Sequence, residues 1–494
     1  MRLEKDNKII FWTLVIFSFW VFLYVNLPMT HDDWVWFSIG ENVLKGVEPH
    51  PNGRYMGTLL TIILTKSYIA RVIIMPIILT SISLLFVKAI SNNNKLMILI
   101  MATIFIIITP KNIFSQTYSW TAGFCNYVPP IIGILLYVYF IKSSFENKRE
   151  DIIRNNLYIL PLFILFYLNQ LYIEHVTVYF VIISILMLIY NLIKFKKVYK
   201  FDVVVLLASI LGMITMFSNS VYHSIATGED TYRSIETGIL PMIKRAIYQY
   251  SSIINPQFFM NLLIISSFIA ILIFIVFYKK SKYINENKIY SMILFVILVY
   301  PIYGLFNTLY THVTIINTDI TLLLESIFTI LYWICLVLSI ILLIDDKSKR
   351  FKMLFYILSI IILVAPLTVV TPIGGRNFLA PYIFLVLLLL EIIQYLYNKY
   401  YIDLNIYIAI YMLVTFMILV GFMFFKIGES ERIRKDEIES QVSKNNEIIY
   451  VPKIAYDWYL VGANPTFEGY PIDQFKLYYN IPYNKKLVLG NPEE

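Results

Sequence analysis

Apolar runs of fifteen to twenty-five residues recur along the whole chain, separated by short basic segments. Each run is long enough, or nearly so, to cross about 30 Å of hydrocarbon as a helix. In lipid, a helix is one of the few forms that satisfies its own backbone hydrogen bonds. With 59% hydrophobic and 15% charged residues over 494 positions, the chain carries too little charge to cover a soluble body of that size. The runs lie at 9–27, 70–90, 95–109, 128–142, 157–173, 175–193, 203–217, 258–278, 289–306, 320–344, 352–370, 378–397 and 404–425. They predict an all-α polytopic membrane protein of about 13 transmembrane helices. The first run is too long for the apolar core of a signal peptide, and no small-residue cleavage site follows it, so it reads as a retained span. Cys125 and Cys335 fall at different predicted depths and offer no disulfide framework.

Orientation follows from the basic segments. With the N-terminus in the cytoplasm, 22 of the 40 Lys and Arg residues fall in inner loops, nine in outer loops or span mouths, and nine in the tail after Phe425. The net charge of +8 therefore reads as topology in a plasma membrane rather than as nucleic-acid binding. An odd span count leaves the last 69 residues outside. The chain divides into a multi-span domain, 1–425, and an extracytoplasmic tail, 426–494. Outer loops 28–69, 110–127 and 218–257 carry the unusual residues, and the two longest are expected to form helices lying along the interface. The tail reads as a charged helix over 426–446, a short strand at Ile448–Val451, and turns at Asn464-Pro465 and Asn491-Pro492. It suits a lid, an acceptor-binding surface or a structural cap.

The candidate chemistry is concentrated in the outer loops. His31-Asp32-Asp33-Trp34 follows the first span at once, and a carboxylate pair beside lipid needs a reason. One aspartate can act as base or ligand while the other orients it; a capped helix start is the plainer account. In the same loop Asn52-Gly53-Arg54 reads as a tight turn ahead of a helix. Arg54 suits a phosphate, a lipid headgroup or one of the aspartates. Tyr118 to Tyr127 holds Trp120, Asn126 and Tyr127, able to stack on sugar faces and bond their hydroxyls, or to form an aromatic belt. Gln170 and Glu174 share a face if the helix persists between them, and His175 is a ready partner for Glu174. Tyr222, Asp230 and Arg233 follow the seventh span, with Lys244-Arg245 suited to anionic headgroups. Finally, Thr371-Pro372-Ile373-Gly374-Gly375-Arg376-Asn377 combines glycines that expose N–H groups with a single cation.

No Walker loop, dinucleotide glycine fingerprint or metal-spaced His/Cys cluster occurs in the chain. An enzyme of the outer face then requires a donor already activated and already in the membrane. At this point the ordered set Asp32-Asp33-Trp34, Asn52-Gly53-Arg54-Tyr55, Trp120 with Gly123 and Asn126-Tyr127, Glu174-His175, and Pro372 with Gly374-Gly375-Arg376 resembles the GT-C glycosyltransferases. More narrowly, it resembles a bacterial family of unknown function found in Gram-positive surface-polysaccharide loci and related to the GtrII-like glucosyltransferases. The resemblance covers roughly 9–425. It implies a GT-C-like bundle that transfers a sugar from a polyprenyl-phosphate donor, usually with inversion, to a cell-envelope glycan or glycolipid. Carried onto this chain, Asp32 or Asp33 is the base, and Arg376, Arg233 or Arg54 meets the donor phosphate. His31, Asn52, Trp120, Asn126, Tyr127, Glu174, His175 and Tyr222 bind sugar or acceptor. Some members of the class hold a divalent cation, Mg or Mn, at the acidic motif; the carboxylates here are too few to require one. A lipid-linked-glycan flippase or transporter, or a polysaccharide polymerase or assembly subunit, would share the topology. Transport predicts functional polar groups at mid-bilayer and on both faces, whereas these lie overwhelmingly on one.

Overall fold

The computed structural model describes residues 2–494 except 48–51, 91–93, 147–148, 154, 231, 237, 281–287, 311–318, 403, 468–471 and 491–494. The expected turn at Asn491-Pro492 and residues Pro49 to Pro51 lie outside the described residues. The chain runs through α1 (Arg2–Val25), α2 (Asp32–Leu44), α3 (Tyr55–Lys66), α4 (Tyr68–Ile90), α5 (Lys95–Ile107), α6 (Lys111–Thr117) and α7 (Thr121–Tyr127). It continues through α8 (Pro130–Ile141), α9 (Ile159–Asn169), α10 (Glu174–Phe195), α11 (Lys200–Phe217), α12 (Ser220–Thr227) and α13 (Ile239–Gln249), the last prolonged by a π-helix, Tyr250–Phe259. Then come α14 (Leu263–Lys279), α15 (Lys288–Tyr310), α16 (Asp319–Leu343), α17 (Lys347–Val364), α18 (Leu379–Tyr400), α19 (Ile406–Ser443) and α20 (Ile472–Tyr478).

The all-α polytopic architecture stands. Among the described residues, ten helices are long and apolar enough to cross a membrane, or up to twelve if each of two bent pairs counts as one span. The bent pairs are α5 with α6, folded by 89°, and the α13 segment with α14, folded by 75°. All thirteen expected runs fall on helices; the run at 157–173 falls on the shorter apolar α9. Large side chains such as Leu14, Ile189, Phe295 and Ile418 stay exposed, which a membrane-spanning surface accommodates and water does not. In α18 the opposite holds: its apolar window is wholly buried, and α17, α14, α4 and α5 pack against it. A helix apolar all round belongs at the centre of a bundle.

Helix ends follow local chemistry. Asp346 accepts from the N–H groups of Ser348 and Lys349 at the start of α17, and Asn405 from Tyr407 at the start of α19. Satisfying these orphan donors fixes where each helix begins. At that end of the bundle buried charges are paired: Arg149 with Asp202 at 2.8 Å, and Lys352 with Glu391 at 2.7 Å.

The opposite end is built differently. There α2, α3, α6, α7 and α12 are short helices between the long ones, α2 against α3 and α3 against α7. A two-residue antiparallel ladder, β1 (Ser234–Ile235) with β2 (Val370–Thr371), ties the 218–257 loop to the glycine turn, and Arg245 reinforces it by donating to Thr371 Oγ1 at 2.8 Å. The tail begins inside α19, which runs on for 38 residues without a break at 425. It ends in a small unit with the parallel pair β3 (Ile448–Val451) and β4 (Lys486–Leu489), whose apolar core includes Met29 and Trp34 from the first loop. The Trp34 ring meets Phe475 edge-on at 4.9 Å. The tail is thus clamped to α2 rather than free. Trp34→Ala should cost about 3–5 kcal/mol and release the 448–489 segment, read as faster amide hydrogen exchange there than in α18. Unchanged exchange in that segment would refute the clamp.

Candidate functional site

The short helices bring residues from five separated stretches into one chain of contacts. Asp32, half-exposed, stands 2.6 Å from His31 Nδ1. The His31 ring meets Trp120 edge-on at 5.7 Å, and the Arg376 guanidinium lies 5.6 Å from the Trp120 ring centre. Arg376 Nε donates to the Tyr127 hydroxyl at 3.2 Å. Arg54 lies 5.9 Å from the Tyr127 ring centre and grips Glu174, Nε donating to Oε1 at 2.9 Å and Nη2 reaching Oε2 at 2.9 Å. Tyr222 completes the knot, donating to Glu174 Oε1 at 2.7 Å and accepting from the Gly53 N–H at 3.3 Å. His175 is buried with its ring 6.4 Å from Tyr127.

The two aspartates have different surroundings. Asp33 is fully buried and takes the N–H of Ala122 on Oδ1 at 2.9 Å, and those of Thr30 and Thr121 on Oδ2 at 3.2 and 3.4 Å. It caps the first turn of α7 across the fold, so both of its oxygens are engaged. Burial raises its pKa to about 6, against the pull of those N–H groups and of Arg71. The hydrogen bond to Asp32 raises the His31 pKa, opposed by partial burial and by Arg376. Among the described residues no group of three or more His, Cys, Asp or Glu is gathered to hold a metal ion. With both oxygens taken up by backbone N–H donors, Asp33 is ill suited to hold a cation together with Asp32.

Other expectations met different partners. Arg54 is held by Glu174, not by an aspartate, and Glu174 is satisfied by Arg54 and Tyr222 rather than by His175. Gln170 and Glu174 do not share a helix, because α9 ends at Asn169 and α10 begins at Glu174. Asn52 accepts the Arg54 N–H at 2.9 Å, closing the turn that the Asn-Gly pair predicted. Asn126 donates to the Ala122 carbonyl and packs against Gly57, where a Cβ would sit 2.2 Å from its Oδ1. The glycines of the 371–377 turn serve close packing on α6: a Cβ on Gly375 would lie 2.1 Å from the Asn112 carbonyl oxygen. Two N–H groups of that turn are engaged within the protein, Gly374 with Asn377 Oδ1 and Arg376 with Gln116 Oε1. Arg233 stands apart from the contact chain, one residue before β1, where its N–H meets Asp230.

Sequence reading passed over Gln116, Ser119 and Tyr459. Gln116 orients Arg376, and Ser119 Oγ bonds the Tyr459 carbonyl, which brings the tail against the site. A Cβ on Gly462 would meet the His31 ring at 2.8 Å, so the tail covers His31 closely. Only the tail's position in space reveals this; a run of turn residues carries no such signal. No protein-family model, curated protein or solved structure matches the chain.

Two outcomes follow from this geometry. Asp33 binds more protons folded than unfolded between about 3.8 and about 6, so its ionisation works against the fold. That penalty is absent below the lower value and complete above the upper, about 3 kcal/mol in all. Melting curves from about pH 4 to about pH 7 should therefore fall less steeply for Asp33→Asn than for the unmodified chain; identical slopes would contradict the burial. Arg54→Gln and Glu174→Gln should each destabilise by about 2–3 kcal/mol, and the double variant by clearly less than their sum. Additive losses would mean that the pair is not coupled.

Proposed function

We propose that the chain is a membrane glycosyltransferase that moves a sugar from a polyprenyl-phosphate donor to a cell-envelope polysaccharide, teichoic-acid-type polymer or glycolipid at the outer face of the plasma membrane. The observation that carries this reading is the contact chain Asp32–His31–Trp120–Arg376. It joins an accessible carboxylate, an aromatic platform and a cation that has no carboxylate partner among the described residues. Trp120 Nε1 is also buried without a hydrogen-bond partner among them, a donor suited to a sugar hydroxyl or phosphate oxygen.

In the reaction Asp32 accepts the proton of the acceptor hydroxyl as that oxygen attacks the anomeric carbon. The bond from that carbon to the phosphate oxygen breaks with inversion, and polyprenyl phosphate leaves with one more negative charge. Arg376 meets that charge as it develops; stabilisation realised in the transition state is what accelerates the step. Asp33 is a positioning residue, because its oxygens hold the backbone of α7 and so the Trp120 end of the platform. Glu174 and Tyr222 fix Arg54, which supports Tyr127 beneath Arg376. The chemistry needs a base and a phosphate partner that are not neutralised by each other, and Asp32 and Arg376 meet that condition.

The test is turnover of purified protein with a panel of polyprenyl-phosphate sugars, read as release of polyprenyl phosphate. Asp32→Asn should lower turnover by about 10²–10⁴-fold. Arg376→Gln should lower turnover more than it raises the apparent KM. Full turnover by Asp32→Asn would overturn Asp32 as the base, and no release from any donor alongside movement of a lipid-linked glycan between leaflets would overturn the transferase reading in favour of a flippase.

A further inference from the structure

A second cationic site lies away from this contact chain. Arg71, in the first turn of α4, is only 5% exposed, and its Nε and Nη1 have no hydrogen-bond partner among the described residues. Its guanidinium lies 5.6 Å from the Tyr68 ring, and among the described residues no carboxylate hydrogen-bonds it; the buried Asp33 carboxylate feels it only through space. A buried cation is ordinarily paired, because removal from water penalises the charged form.

Arg71 lines a cavity of about 460 Å³ between the end of α1, α2, the start of α4 and α19. Lys66, Arg432 and Lys435 share its wall, and Glu431 is the one carboxylate among the lining residues. That carboxylate is already engaged: Tyr479 donates to it at 3.0 Å and Lys435 lies 3.4 Å away. Lys66 in turn lies 3.6 Å from Glu41, which leaves Arg71 and Arg432 as the wall cations with no carboxylate at salt-bridge distance among the described residues. Apolar Val25, Leu27, Met29 and Phe37 share the wall with Asn26 and Thr65. Ile69, Ile73 and Ile77 of α4, with Phe22 of α1, are exposed along the adjoining surface. An apolar track therefore leads from the cavity along two packed membrane helices.

We propose that this cavity binds a phosphate ester, with Arg71 as its buried ligand and Lys66, Arg432 and Lys435 as its cationic rim. An Arg fork matches phosphate oxygens bidentately, and lysines add charge without demanding one geometry. The start of α4 adds the favourable end of a helix dipole. The apolar track favours a phosphate carried on an acyl or prenyl chain over a free one. The site uses none of the residues assigned to catalysis, so it stands whether or not the chain transfers sugars.

The experiment uses the full chain purified in dodecyl maltoside, with melting temperature followed against dodecyl phosphate and, separately, inorganic phosphate. A saturable rise with dodecyl phosphate is expected, weakened by about ten- to hundredfold in Arg71→Gln. Should Arg71→Gln fail to fold, Arg432→Gln, changed at the rim, should weaken binding severalfold. A response to dodecyl phosphate alone supports a lipid source, and an equal Arg71-dependent response to inorganic phosphate supports a soluble one. No saturable response to either probe, or unchanged affinity in the folded variants, would overturn the site.

Discussion

One buried carboxylate organises the end of the protein where the candidate chemistry lies. Asp33 is enclosed in apolar surroundings and would be untenable there without donors aimed at it. Those donors come from Thr30 on its own loop and from Thr121 and Ala122 some ninety residues later. The bonds fix α2 against α7, and everything on either side inherits the constraint. Trp34, next in sequence, is thereby directed into the tail's core, while His31 is left facing Trp120 with Asp32 beside it. The adjacent aspartates divide the work because neighbouring residues at a helix start point in different directions. One is buried as a strut, the other remains accessible.

The spans were legible in the sequence because the signal is physical length: a run of apolar residues that must cross hydrocarbon is hard to conceal. The convergence of polar outer-loop side chains was legible for a related reason. Charged and amide side chains between apolar runs have few places to go, and Asp32, Arg54, Trp120, Glu174, Tyr222 and Arg376 do converge. Their pairing was not legible. Arg54 and Glu174 are 120 positions apart, and no periodicity tells which of several carboxylates an arginine will reach. The break between Asn169 and Glu174 defeated the one local pairing that spacing offered. The boundary drawn at 425 marks a fall in hydropathy and no break in structure, since α19 continues through it and the end of an apolar run does not tell whether the helix ends too.

The cations of this region differ in how far the protein has already neutralised them, and that separates support from chemistry. Arg54 is bound on two atoms by Glu174, so its charge is largely answered before any ligand arrives. Arg245 is tied to Glu236 and to the β1–β2 ladder. Among the described residues the Arg376 guanidinium makes only neutral contacts, a hydroxyl and an indole face, and keeps its attraction for an anion. Where an arginine is conformationally fixed by neutral groups, the ordering cost is met during folding while the charge remains available.

The same reasoning explains why the region can hold two cationic centres without becoming unstable. At the opposite end, buried charges such as Lys352 and Glu391 or Arg149 and Asp202 cancel at hydrogen-bond distance. Around Arg376 and Arg71 the compensation is indirect: aromatic faces from Trp120 and Tyr68, and the nearby carboxylate of Asp33, which feels Arg71 through space. Aromatic quadrupoles stabilise a cation by about a kcal/mol or two without occupying its hydrogen-bonding positions. A surface meant only to hold the bundle together would close those positions with acids, as the other end does. Leaving them open imposes a cost in stability that a polar ligand, but not the fold itself, can recover.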